Sequence, residues 1–209
     1  MPTRRDEARA LFRNAILDAA EAVIADRGFH AARIHDISER ARIAVGTVYN
    51  HFRTKEDVLR ALLEERSEGL RRELMPVPGE PESFEKKLAV RLSRVLAYVD
   101  RHRSFFLVAL EHGLFGAASA TAEATLHGKP VRQMASVKGA IAALIQEGIA
   151  AGALVDEDPA RLTRFLTGTM KGFILGSLQA GLPSIQGETP VIVDLFLHGA
   201  ARSPARRKR

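Results

Sequence analysis

Apolar residues recur along most of this 209-residue chain at steps of three and four, and almost nowhere in alternation. That is the period of a helix, so the pattern predicts an all-α protein. The first stripe runs through Phe12, Ile16, Ala19, Ala20 and Val23 within residues 8–27. Arg27-Gly28-Phe29 is read as its stop, with a cation in the last turn, a glycine for a left-handed position and an apolar residue after it. Two short helices are predicted over 34–41 and 45–52, then a long one opening at Thr54, which stands at capping-box spacing from Asp57. The Met75-Pro76-Val77-Pro78-Gly79-Glu80-Pro81 segment cannot continue that helix and marks the clearest break. Beyond it the period predicts helices near 83–101, 104–115, 119–126 and 131–152. Asp158-Pro159 is a cap followed by a proline at the first helical position, opening a helix to about residue 180. Thr189-Pro190 repeats that device for a last helix ending near Gly199.

The stretch from His35 to Glu56 is the one with functional content. It predicts two helices of about two turns joined by a tight turn around Arg42-Ile43-Ala44. Ile37, Ala41 and Ile43 can pack against Val48 and Phe52, which sets the second helix across the first. A helix-turn-helix of this kind presents its second helix to a major groove. The outward residues would be Val45, Thr47, Asn50 and His51, with Gly46 allowing close backbone approach. These types supply a methyl contact to thymine and hydrogen bonds to base edges and phosphates.

Gly28-Phe29, Asp36-Ile37, Ala41, the run Val45-Gly46-Thr47-Val48-Tyr49-Asn50-His51-Phe52 and Lys55-Glu56 closely resemble the TetR-family DNA-binding domain over roughly residues 8–63. The resemblance implies that Thr47, Tyr49, His51 and Lys55 touch the phosphate backbone and that Val45 and Asn50 face base edges. Arg33 and His35, at the start of the preceding helix, join the DNA-facing set. Lys55 also stands in the first turn of its helix, where free N–H groups favour phosphate. Two positions depart from the family pattern. Ala31-Ala32-Arg33 lacks the usual hydroxyl cap, which Asp36 partly offsets through the helix dipole, and Arg42 stands where glycine is usual.

The resemblance further implies a C-terminal helical domain that dimerises and binds an inducer in its interior. Gly168, Gly172 and Gly176 repeat at steps of four on one predicted helix, each costing about 1 kcal/mol against alanine. They suggest close helix approach, across a dimer interface or within one protomer. The last helix, with Val193 and Phe196, is apolar nearly all round and would join them in a four-helix interface. Phe106, Leu110, Glu111, Met134, Met170 and Phe173 are candidate pocket residues, though such side chains also suit an ordinary core.

Five of the six net positive charges sit in residues 201–209, so the high isoelectric point describes a basic tail and not the folded body. There is no cysteine, which excludes disulfides and thiolate metal sites. The seven histidines show no paired metal spacing, and neither a Gly-rich phosphate loop nor a Gly-x-Ser-x-Gly elbow is present, so catalysis, metal and cofactor are not expected. No apolar run is long enough to span a bilayer, and a cytoplasmic protein is expected.

The combined expectation is a helix-turn-helix domain over 1–55, linked through helix 54–75 to a ligand-sensing and dimerisation domain over 56–200, with the tail at 201–209. Its expected role is a homodimeric transcriptional repressor, released from a palindromic operator by an unidentified small molecule. A constitutive or activating DNA-binding protein without ligand is the alternative.

Overall fold

The computed structural model describes residues 3–111 and 133–200. The tail, the predicted helix 119–126, and the side chains of Leu110, Glu111 and Met134 lie outside the described residues. The described chain is helical: α1 Arg4–Ala31, α2 Ile34–Ala41, α3 Val45–His51, α4 Lys55–Leu74, α5 Phe84–Arg101, α6 Arg103–Glu111, α7 Gln133–Ala150, α8 Pro159–Gln179 and α9 Thr189–Ala200. A 3-10 turn, Gln186–Glu188, leads into α9. None of these helices is long and apolar enough to cross a membrane.

Contacts divide the chain into two compact units. The first holds described residues 3–66 and 102–111, so it runs past residue 55 along α4 and takes in α6. Within it α1 is the spine. Its stripe buries Ile16, Ala19, Ala20 and Val23, and it packs against α2 and α6. From α6, Phe105, Phe106 and Ala109 are buried, the two rings meeting edge to face at 5.3 Å. Gly28 adopts φ +75° and ψ 160°, but hydrogen-bonded helix resumes to Ala31, so the expected stop is a break within a longer helix. Positive φ is what only glycine takes without steric cost.

Among the described residues of this unit, one charged side chain is buried. Arg66 of α4 donates through Nε to Glu21 of α1 at 2.8 Å and through Nη2 to Asp18 at 3.2 Å. His102, just ahead of α6, reaches the same Glu21 carboxylate at 3.1 Å. Burial alone would raise the Glu21 carboxyl, but the hydrogen bond from His102 and the charge and hydrogen bonding of Arg66 outweigh it and hold it below its ordinary value.

The second unit holds described residues 67–101 and 133–200. Its core joins Leu88, Leu92 and Leu96 of α5, Ile141, Leu144 and Ile145 of α7, Leu162 and Leu166 of α8, and Ile192 and Phe196 of α9. Tyr98 lies across Gly69, in the space that a side chain there would occupy. Asp158 caps α8 as expected, its Oδ1 accepting from the Ala160 N–H at 2.9 Å. Thr189 does not repeat that role. The preceding 3-10 turn already gives it helical torsions (φ −52°, ψ −49°), and its hydroxyl donates to the Gln186 carbonyl at 2.7 Å. The entry to α9 is held from α5: the Asp100 carboxylate accepts from the N–H groups of Ile185 and Gln186, each at 2.9 Å, and from the Ser184 hydroxyl at 3.0 Å.

Candidate nucleic-acid interface

The interface is built from α2, its turn and α3. Lacking a hydroxyl cap, α2 begins with the Asp36 carboxylate accepting the Arg33 N–H at 3.1 Å, while Arg27 pairs with the other Asp36 oxygen at 2.8 Å. The helix ends on Arg42 in the left-handed region (φ 56°, ψ 39°), the one non-glycine with positive φ among the described residues. Its N–H donates to the Glu39 carbonyl, and Ile43 donates to Ser38, which closes the turn. A side chain in that conformation costs about 1–2 kcal/mol, part of which glycine's freedom in the unfolded chain would offset. Arg42→Gly is therefore expected to raise the melting temperature by about 1–4 °C. An unchanged or lower value in calorimetry would show that the arginine side chain contributes more than its backbone costs.

Ile37 of α2 is fully buried, as is Val48 of α3, and Phe52 just beyond is buried too. Ala41 and Ile43, expected beside them, are half-buried, and the burial of Val48 fixes which way α3 faces. With Val48 inward, the helical period turns Gly46, Tyr49 and Asn50 outward, and these three and Val45, in the first turn of the helix, are exposed. Tyr49 keeps 52% of its surface open, which is high for an aromatic residue. Thr47 and His51 are half-buried at the sides. None of these side chains except His51 makes a hydrogen bond or ring contact among the described residues, so a hydroxyl, a phenol, an amide and an apolar patch stand unpartnered on one short helix. That set can meet base edges and phosphates, and Gly46 carries nothing that would hold the backbone away from them.

His51 has a more specific setting. Its ring lies 6.5 Å from Phe12 of α1 and 6.3 Å from Phe52. Partial burial, then the charges of Arg9 and Arg13, push its imidazole below its ordinary value and favour the neutral form. Lys55 is also more constrained than expected. Its ammonium donates to the carbonyls of Phe29 and His30 at 2.9 and 3.0 Å and sits 4.7 Å from the Phe29 ring centre. Two of its three N–H donors are engaged, leaving one for a phosphate. Arg33 and His35 are exposed at the start of α2, with the His35 Nδ1 at 3.7 Å from Glu39.

The residues assigned to the interface between protomers divide. Phe196 is fully buried and Val193 nearly so, both in the core of their own unit, which corrects their placement on a dimer surface. Their neighbours Val191 and Leu195, 46% and 50% exposed, are the apolar residues that α9 turns outward. Gly168, Gly172 and Gly176 are open. A side chain added at any of the three would meet nothing within 4 Å among the described residues, none of which therefore packs against them. They line a groove of about 440 Å³ along α8 with Phe173 and Leu182. Of the candidate pocket residues, Phe106 lies in the first unit, whereas Met170 is buried in the second and Phe173 faces the groove.

Residues 16–62 match the family model described as bacterial regulatory proteins, tetR family. The chain is 32% identical over 99 residues to the fatty acid metabolism regulator protein of Bacillus subtilis, covering 47% of this chain and 46% of that one. It is 42% identical over 64 residues to an HTH-type transcriptional repressor of Mycobacterium tuberculosis, covering 31% and 32%. The matched stretches thus span less than half the length of these curated relatives. In fold, the chain resembles the fatty acid degradation regulator FadR of Bacillus halodurans, with a TM-score of 0.76 at 21% identity over 95% of this chain and 97% of that one. FadR of Bacillus subtilis, solved in complex with stearoyl-CoA, gives 0.72 at 20% identity over 88% and 97%. The fold is therefore an N-terminal helix-turn-helix followed by a helical C-terminal domain.

Proposed function

We propose that this chain, whose residues 16–62 match the tetR-family model, is a sequence-specific transcriptional repressor, released from its operator by a small molecule. The observation that carries the reading is the α3 surface, where Val45, Gly46, Tyr49 and Asn50 stand exposed together while Val48 anchors the helix from behind. Around it, Thr47, His51, Lys55, Arg33 and His35 are placed to contact phosphates and groove edges. A long-chain acyl thioester is the proposed inducer class, supported by the stearoyl-CoA complex of the Bacillus subtilis neighbour and by the naming of the curated relative. Selection of duplexes from a random pool by the purified protein is expected to enrich one palindromic sequence. Stearoyl-CoA is expected to release it, because a ligand acts through its different affinity for two states. A pool with no enriched sequence would remove the DNA reading, and an operator complex indifferent to acyl thioesters would remove the inducer class.

The proposed assembly is a homodimer through α8 and α9. Its support is the open glycine face, flanked by exposed Phe165 on α8, Leu182 just after that helix, and Val191 and Leu195 on α9. Two-fold symmetry would carry over to the operator as half-sites one helical turn or a multiple apart. Gly172→Leu is expected to weaken the dimer at least tenfold, about 1.4 kcal/mol, in sedimentation at micromolar concentration. Because a side chain at 172 meets nothing among the described residues, the fold itself should not suffer. A variant that dimerises as tightly as the natural chain would exclude this face.

A further inference from the structure

α1 begins well before it has anything to pack against. Its first buried residue is Ile16, so residues 4–15 form roughly 18 Å of helix with no buried side chain. A helix this short is not stable on propensity alone. It is nonetheless finished with a cap: the Thr3 hydroxyl accepts the Asp6 N–H at 3.2 Å, and the Asp6 carboxylate accepts the Thr3 N–H at 3.0 Å and its hydroxyl at 2.7 Å. Among the described residues, the ring contact of Phe12 with His51 and the ion pair of Arg13 with Glu65 at 3.5 Å tie this stretch to the rest of the unit.

The stripe that buries Ile16, Ala19 and Val23 continues backwards through Phe12 to Arg9 and Arg5, at steps of three and four. Where the stripe leaves the core it therefore changes from apolar to cationic. Glu7 falls on the far side of the helix from both arginines, whereas Asp6 lies about 100° from Arg5 and about 60° from Arg9. The Asp6 oxygens are engaged by Thr3, whose hydrogen bonds, followed by the charge of Arg9, hold the carboxyl below its ordinary value. Arg5 and Arg9 are exposed and make no hydrogen bond or ion pair among the described residues. The stripe also has a fixed neighbour. Phe12 sits on His51, the last residue of α3, and the charge of Arg9 is felt at that imidazole. Arg9 lies about 4.5 Å along the axis from Phe12, and Arg5 about 10 Å.

We propose that Arg5 and Arg9 form a second phosphate-binding edge, by which α1 grips the DNA backbone beside the α3 surface. This rests on the reading that α3 docks on DNA. Two unpaired guanidiniums at successive turns of a rigid helix suit two phosphates of one strand, and they position the protein without reading sequence.

The test uses the full chain and the duplex that the natural protein enriches from a random pool. Replacing Arg5 and Arg9 by alanine, singly and together, is expected to flatten log Kobs against log salt by about 0.9 per arginine and protomer. The double variant should bind about tenfold more weakly or worse at physiological salt while enriching the same sequence from the pool, because only phosphate contacts are lost. Arg5→Lys with Arg9→Lys should restore most of the slope. In the free protein, Arg9→Ala should raise the His51 pKa measured by NMR, and no change would remove the adjacency on which the proposal stands. Superimposable salt slopes of natural and double-alanine chains overturn it. So does loss of binding to phosphatidylglycerol vesicles with DNA binding intact, since exposed Leu11 and Phe12 beside the arginines also suit an anionic bilayer. A natural chain that enriches no duplex at all would instead fell the α3 reading, whatever α1 does.

Discussion

Replacing Gly46 by leucine is expected to weaken operator binding by on the order of 100-fold, about 2.8 kcal/mol, without lowering the melting temperature. Gly46 lies in α3 with a helical φ, and a side chain there would meet no atom within 4 Å in the free protein. Leucine adds helix propensity at an exposed helical position, worth up to about 1 kcal/mol, so the fold should be equally or more stable. On DNA the same side chain would stand between the helix and the groove. It would lift Val45, Tyr49 and Asn50 away from their partners, and base contacts of this kind are worth about 1–3 kcal/mol each. Alanine at 46 should lie between the two. Titration of the enriched duplex at fixed salt, paired with thermal melts, separates docking from folding. A leucine variant within threefold of the natural affinity would mean that this face of α3 does not enter the groove.

Much of that face was legible because a helix-turn-helix leaves little freedom. Once Val48 is inward, the period turns 46, 49 and 50 outward; of the outward set expected, Val45 and Asn50 are exposed, whereas Thr47 and His51 are half-buried. Asp158-Pro159 was equally legible, since a cap and a proline act over two or three residues. The failures came where local pattern carries no direction. In α9 nearly every position is apolar, so the period could not distinguish Phe196, buried against α5 and α8, from Leu195, left open. Thr189 looked like a cap until the 3-10 turn before it took that place. Lys55 was rightly near a helix start, but nothing in its neighbours along the chain shows that the carbonyls of Phe29 and His30, at a helix end, stand within its reach. The pairing of Phe12 with His51 spans nearly forty residues and is set by how α1 lies in its unit.

Replacing Arg91 by methionine is expected to cost on the order of 3 kcal/mol, a fall in melting temperature of roughly 6–12 °C. Glu80 lies in the proline-rich segment between α4 and α5, and Arg91 holds it by a two-point pairing, Nε to Oε1 at 3.0 Å and Nη2 to Oε2 at 2.7 Å. The two side chains are 5% and 7% exposed. Arg91 also reaches Glu147 of α7 at 3.4 Å, and Lys87 meets the other oxygen of that carboxylate at 2.6 Å. Glu147 therefore keeps a cation when Arg91 is lost, but Glu80 loses its main partner. Hydrogen bonds from Arg91 hold the Glu80 carboxyl below its ordinary value. In the natural chain its contribution is thus present above the usual carboxylate pKa and is lost as pH falls through the depressed one. In Arg91→Met, burial without that partner should raise the carboxyl instead. The sign then reverses: the deficit is largest at neutral pH and shrinks in mild acid, as the folded state takes up the proton. Adding Glu80→Leu removes the stranded charge and should recover most of the loss at pH 7. Melting curves of the natural, single and double variants between pH 5 and 7.5 decide the matter. A single variant within about 1 kcal/mol of the natural chain at neutral pH, with no pH reversal, would show that water already solvates Glu80 and that the pairing does not hold this turn in place.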